Sequence, residues 1–343
     1  MKKLSTFALL ATACAAASAQ SNFTLFGILD ANVRVVNNGT GSVKSVSAGG
    51  INTSRLGFRG IEDLGGGLKA GFWLETGINP DTGTTSDSTR FWNRRSTVSL
   101  IADAAGELRL GRDFTPTYNG YSNYDTFGSN GVAAVDKFFP STLGGGSPSF
   151  DTGTRADNLV SYFTPKNLGG FYGQASIAAG EGASGKRYYG GRVGYAAGPL
   201  DVSAAYGETK VFPAVAGTDK FQVVDFGASY DFDSFKVLGL YGETKFGNLK
   251  LDVIEIGTLV PVGVGVIRAS YVHANAKGGN IDANDANQFA IGYIHNLSKR
   301  TALYTTLARV SNKGAATFAV ATPPALLVGH DSKGAEFGIR HSF

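Results

Sequence analysis

Sulfur is almost absent from this sequence: its one cysteine, Cys14, and its one methionine, Met1, both lie close to the start. An intrachain disulfide framework is excluded, and so are sites built from several cysteines. Proline is scarce, at 10 of 343 residues. Neither charge sign dominates. The formal net charge is +4, Lys2 and Lys3 supply half of it, and nothing points to nucleic acid as a partner. Beyond the N-terminal segment no apolar run reaches the roughly 18–20 residues that a spanning helix requires. The four histidines (His273, His295, His330 and His341) sit in separated segments without metal-ligand spacing, so no metal and no cofactor is expected. No Ser/His pair lies on a recognisable catalytic motif, and Gly65-Gly66-Gly67 lacks the Gly-Lys-Ser/Thr and helix context of a phosphate loop. An enzyme is not expected.

Glycine (48 residues), phenylalanine (23) and tyrosine (14) are abundant instead. They suit strands and tight turns rather than helix bundles. Apolar and polar residues alternate with period two along most of the chain. Leu68, Ala70, Phe72 and Leu74 share one face of a segment, and Lys69, Gly71, Trp73 and Glu75 share the other. Near the start Phe23, Leu25 and Ile28 suggest one slip of parity at Gly27. The alternation predicts sixteen strands between 22–36 and 333–343, the second over 51–62. Their connections alternate in length. Long polar segments fall at 37–50, 78–90, 115–155, 210–220, 276–285 and 312–332, and tight turns such as Asp103-Ala104-Ala105 and Ala197-Gly198 lie between them. An even number of strands with long loops at one end and short turns at the other is the pattern of a closed barrel threaded through a membrane. Mean hydropathy of −0.02 agrees, because such a barrel hides its hydrophobicity in alternation.

Both termini fit. Met1-Lys2-Lys3, an Ala-rich apolar stretch and Ala17-Ser18-Ala19 read as a secretory signal peptide over 1–19. A lipoprotein reading at Cys14 also exists, although Ala11 stands where such signals usually carry Leu. Residues 20–343 read as one domain without a linker. The ending Glu336-Phe337-Gly338-Ile339-Arg340-His341-Ser342-Phe343 is an amphipathic strand that runs to its last aromatic, as a barrel needs if its last strand is to pair with its first.

The run from Ser54 to Ala70, Asn93-Arg94-Arg95, Leu110-Gly111-Arg112-Asp113-Phe114-Thr115-Pro116, Arg155-Ala156-Asp157-Asn158, Asn296-Leu297-Ser298-Lys299-Arg300-Thr301 and the last six residues resemble the trimeric general porins of Gram-negative bacteria, β-proteobacterial branch. The resemblance implies a sixteen-stranded antiparallel transmembrane β-barrel, a homotrimer in the outer membrane, and passive diffusion of small hydrophilic solutes and ions. It also implies that the third external loop, about 115–155, folds inward, and that Phe343 is read by the barrel-assembly machinery. Outer-membrane lipid and lipopolysaccharide are the expected surroundings. By the same resemblance Arg55, Arg94 and Arg155 form a basic ladder at the constriction.

Parity on the strands places Arg55, Arg59 and Lys69 toward the lumen, since Arg or Lys on the lipid face near the midplane costs about 2–4 kcal/mol. Arg94 and Arg95 are adjacent, so alternation admits one of them inward, and the motif favours Arg94. Asp125 and Asp136 are the candidate acids of the constriction loop, which otherwise carries aromatic bulk. A pore rich in arginine and poor in carboxylate should prefer anions. A solute-specific channel for sugars or organic acids is the alternative; an outer-membrane barrel enzyme is a more distant one.

The loop asymmetry makes a topological prediction. An epitope tag inserted near Thr84 or Gly217 is reached by antibody on intact cells, and one at Asn167 is not. Surface labelling at Asn167 would invert the orientation.

Overall fold

Neighbouring residues on one strand have opposite fates: Gln288 is fully buried, and Phe289 beside it is 64% exposed. The same contrast separates Val253 from Ile254 and Glu336 from Phe337. A wall one sheet thick behaves in this way when one face looks into an enclosed space and the other is apolar and open.

The structure, a computed structural model, describes residues 22–215 and 218–343. The expected signal segment 1–19, with Cys14, lies outside the described residues, and so does Gly217. The strands are β1 (Asn22–Asn37), β2 (Ser42–Ala48), β3 (Arg55–Gly65), β4 (Leu68–Asn79), β5 (Thr84–Thr85), β6 (Arg95–Ala102), β7 (Gly106–Phe114), β8 (Arg155–Phe163), β9 (Phe171–Ala178), β10 (Arg187–Ala197), β11 (Leu200–Val215), β12 (Thr218–Asp231), β13 (Lys236–Phe246), β14 (Leu249–Val262), β15 (Gly265–Lys277), β16 (Ala286–Asn296), β17 (Thr301–Asn312) and β18 (Ser332–Ser342). One short helix, α1 (Pro116–Ser122), lies between β7 and β8. The Thr115 hydroxyl caps it by accepting from the Tyr118 amide, and a proline opens it.

β2 and β3 both pair with β1 and together make the second stave of the barrel. β5 pairs only locally, with the end of β4. What remains is a closed antiparallel barrel of sixteen staves. Every pair of neighbours is antiparallel, as the strand count implied.

Three expectations are corrected. The parity slip at Gly27 does not exist: β1 pairs without interruption, Ile28 continues the inward face, and Leu29 is the outward residue. The strand expected over 51–62 is β3, which runs from Arg55 to Gly65, and a separate strand, β2, lies within the expected loop 37–50 and pairs with the long-loop end of β1. Residues 210–215 and 218–220 are strand, not loop: β11 and β12 stay paired past Lys210–Lys220, across a register irregularity, to Val215–Thr218. Phe221 accounts for the last, since it is fully buried between Phe150 and Phe246, with ring centroids at 4.6 and 4.5 Å. Burying rings of that size draws the hairpin against the loop between β7 and β8.

The barrel closes between β1 and β18 over a continuous register from Ile28–Ser342 to Asn37–Lys333. The last residue completes it: Gly27 and Phe343 exchange two backbone hydrogen bonds, each 3.0 Å. The Phe343 ring occupies the space that a Cβ on Gly27 would need. We therefore expect deletion of Phe343 and Gly27→Val to impair closure by different routes, loss of a pair and overpacking. The measurement is the fraction of heat-modifiable, folded barrel after insertion, and wild-type yield in both variants would refute this account.

Candidate pore constriction

β3, β4, β6, β7 and β8 are successive staves, and the arginines gather on their inward faces near the long-loop end. Glu75 on β4 is their organising partner. Arg94 Nε donates to Glu75 Oε1 at 2.6 Å, an Arg55 terminal nitrogen lies 3.5 Å from the same oxygen, and Trp73 Nε1 donates to Oε2 at 3.1 Å. Arg94 in turn repels both Arg55 and Arg155, which places the three guanidiniums in one electrostatic neighbourhood. Arg155 opens β8 and its guanidinium carbon lies over Phe114, 4.1 Å from the ring centre. Among the described residues it makes no ion pair.

Arg94 and Arg95 both reach this wall. Arg95 is the first residue of β6 and shares parity with the buried Thr97 and Ser99. Arg94 precedes the strand, so alternation does not bind it. This corrects the expectation that only one of them turns inward. Arg95 stacks on Trp73 at 4.5 Å, Arg59 packs on the same indole at 5.1 Å, and Arg59 also lies 5.4 Å from Phe26. Lys69 is at the short-turn end of β4, paired with Asp103 at 2.7 Å, well away from this cluster.

Facing the arginines is the connection 115–154. Its residues touch inward groups on the far wall: Tyr124 donates to Asp201 at 2.9 Å, the Thr126 amide to Glu255 at 3.1 Å, Lys137 to Gln288 at 2.9 Å, and Gln288 to the Ala133 carbonyl at 2.8 Å. A single-layered wall cannot bury its own inner face. Glu255, Gln288 and Val272 are buried in a hydrophobic and polar contact with this segment. Inward glycines make room for it, with Tyr124 seated on Gly227 and Phe139 on Gly242.

The two candidate acids separate. Asp136 is exposed. Asp125 is buried and committed to the loop itself, accepting from the amides of Phe127 (2.9 Å), Ser129 (2.7 Å) and Val135 (3.0 Å). Its expected place as a lumen acid is corrected: its oxygens are buried and held by three loop amides rather than presented to a passing ion. Tyr118 presents the loop's polar group instead, stacked on Phe114 at 4.5 Å. Burial pushes its phenol up, Arg155 and Arg94 act against that, and Asp136 adds to it. The net effect is upward, so Tyr118 stays a neutral donor and acceptor.

Sequence reasoning passed over several residues that the geometry recruits. Glu75 was on the correct face but not singled out. Asp157 binds Arg112 at 2.7 Å and Arg90 at 3.0 Å, beside a cavity of about 340 Å³ also lined by Arg155 and Lys186. The readable signal was charge on lumen parity near the ends of β4, β7 and β8, where an unpaired carboxylate would have no reason to be.

The chain matches known proteins over its whole length. It is 42% identical to outer membrane porin protein 32 of Delftia acidovorans, covering 100% of this chain and 99% of that one. It is 28% identical to an outer membrane porin protein of Bordetella pertussis, over 88% and 92% of the two chains. The solved structure of the anion-selective porin from Comamonas acidovorans superposes with a TM-score of 0.84 at 41% identity, covering 94% of this chain and 100% of that one. The family model described as Gram-negative porin matches residues 5–315. On fold, family match and full-length similarity together, this chain belongs to the Gram-negative porins, the channel-forming barrels of the outer membrane.

Proposed function

We propose that this porin passes small hydrophilic solutes with a preference for anions, and that its selectivity is set where Arg55, Arg94 and Arg155 face the 115–154 segment. The observation that carries this is the charge balance at that level. Two of the three guanidiniums, Arg55 and Arg94, share the carboxylate of Glu75, Arg155 has no ion pair among the described residues, and the loop answers with the neutral Tyr118 and the exposed Asp136. An anion entering such a narrowing exchanges water for guanidinium donors without a conformational step, while a cation meets the same field as a barrier. Two like charges about 8 Å apart repel by roughly 2 kcal/mol at an effective dielectric near 20, so the cluster is relieved whenever an anion is present. The anion-selective relative of known structure supports the same direction.

Several further parts of this reading belong to the same proposal. Residues 1–19 are removed as a signal peptide and 20–343 form one domain. The channel assembles as a homotrimer among outer-membrane lipid and lipopolysaccharide. Phe343 serves the barrel-assembly machinery as well as closure.

Reversal potentials across a salt gradient test the selectivity. Wild-type protein should prefer anions at 0.1 M salt. Each of Arg55→Ala, Arg94→Ala and Arg155→Ala should lower that preference, and the triple variant should approach neutrality or prefer cations. Glu75→Gln should raise it, whereas Lys69→Ala should leave it near wild type. The preference should fade toward 1 M salt, as the Debye length falls from about 10 Å to about 3 Å. Cation preference in the wild type, or an unchanged triple variant, would overturn the arginine assignment and leave the pore itself standing.

A further inference from the structure

The long-loop end holds a second charged chamber beside the constriction, the cavity of about 340 Å³ next to Asp157. Three connections line it. The one from β4 to β6 contributes Arg90, the end of the 115–154 segment contributes Asp151 and Thr152, and the one from β9 to β10 contributes Glu181 and Lys186.

Backbone geometry fixes these walls. At the β7–β8 edge Gly111 pairs with Leu159 and Asp113 with Ala156, so Arg112 stands opposite both Asp157 and Asn158. A bulge of this kind re-aims the side chains around it, and here Arg112 and Asp157 meet at 2.7 Å. Asn158 has a φ of 55°, and Glu181 in the β9–β10 connection has 48°. A non-glycine residue seldom adopts that conformation, and asparagine does so more readily than glutamate. Such residues persist where their surroundings over-determine them, and ligand clamps are one such place. Hydrogen bonds stitch the remaining side together. The Asp151 amide donates to the Gly185 carbonyl at 3.0 Å, the Gly185 amide to the Lys210 carbonyl at 2.9 Å, and the hydroxyls of Thr152 and Thr209 are 2.5 Å apart.

Charge sets this cavity apart from ordinary polar surface. Asp157 takes up two of its cations, Arg112 and Arg90. Four other charged residues on the lining, Arg155, Lys186, Asp151 and Glu181, make no ion pair among the described residues. The Nε of Arg155 is buried and has no hydrogen-bond partner. Two cations and two carboxylates therefore share one chamber without satisfying one another. A simple anion entering it meets both acids as well as the cations, and a simple cation meets the reverse. A molecule that carries both charges satisfies both sets.

We propose that this cavity binds a small zwitterion of the amino-acid class, its carboxylate toward Arg155 and Lys186 and its ammonium toward Asp151 and Glu181. Hydrogen bonds between ionised groups are the strong ones, and such a ligand makes them at both ends. The cavity lies near the lower end of the roughly 300–1,000 Å³ range of ligand pockets, which suits one amino acid and its water rather than a larger solute. Of the three constriction arginines it shares only Arg155. The inference goes beyond anion preference and does not depend on it.

The test reads the cavity locally. Ala183, on the lining, is changed by Ala183→Cys in a Cys14→Ser background and carries a trifluoromethyl tag. The full chain in an uncharged detergent is titrated with three molecules of like size, alanine (zwitterion), lactate (anion) and lactamide (uncharged), and followed by fluorine NMR. Alanine should shift the fluorine line saturably and bind at least about tenfold more tightly than lactate or lactamide. D151N/E181Q should weaken alanine about tenfold and tighten lactate, and K186Q should weaken both. A gain for lactate cannot come from misfolding, so the double variant separates charge from structure. Lys299→Gln, in a turn at the other end of the barrel, should change nothing. Lactate binding as tightly as alanine in the tagged parent, alanine binding unchanged in either variant, or no saturable shift each overturns the proposal. None of these outcomes bears on conduction, so failure here is distinguishable from failure of the pore reading.

Discussion

A backbone amide in hydrocarbon has no water to bond, and every other property of this protein depends on that constraint. Each unpartnered N–H or C=O costs several kcal/mol, so a spanning sheet must have no edge. The pairing of β1 with β18, completed by the reciprocal bonds of Gly27 and Phe343, is the place where the constraint is met. Closure then dictates the rest. A closed sheet has an inside and an outside, alternation assigns every residue to one of them, and water on the inside lets charges survive there. Arginines that would be intolerable on the lipid face become affordable on the lumen face because the register is continuous. A slip of one residue in β3 would exchange Arg55 and Arg59 for Leu56 and Phe58.

That dependence explains what was legible in the sequence. Strand number, direction and most boundaries follow from alternation and turn residues, and lipid enforces both. The last strand, expected over 333–343, lies within one residue of Ser332–Ser342 at each end, because a long polar segment bounds its start. Errors fell where lipid no longer enforces the pattern. The β2 segment and the β11–β12 hairpin lie at the long-loop end, where tertiary contacts decide the structure; Phe221, in its cluster with Phe150 and Phe246, is an example. Ile28 misled because an inward apolar residue looks like a change of parity when partners across the lumen are unknown.

Legibility of the site was more limited, for the same reason. Parity reports which face a strand residue occupies and nothing about a residue that precedes a strand or folds within a loop. Arg94 and Arg95 illustrate the first case, and Asp125 the second. Asp125 had the right type and segment, yet its carboxylate holds the loop's own amides, a use that no spacing rule separates from a lumen acid. Glu75 was visible on the correct face. Its importance emerges only when Arg55, Arg94 and Trp73, distant in sequence, are found around it.

The lumen arginines differ from the cations of the outer rim in how each side chain keeps its charge in place. Four lumen arginines pack over rings: Arg59 and Arg95 on Trp73, Arg155 on Phe114, Arg192 on Tyr172. A guanidinium packed on a ring is fixed in position, so the field it projects into a narrow passage does not wander with the side chain. A lysine in the same place would be a hydrated point charge on a flexible stem, and the passage would be both less defined and more obstructed. Outside, exposed cations such as Lys245, Lys277, Lys333 and Arg309 have stems that can lie along apolar surface while the charged head stays in water. Alternation is what permits both, since it puts the lumen arginines and the rim cations on opposite sides of one sheet.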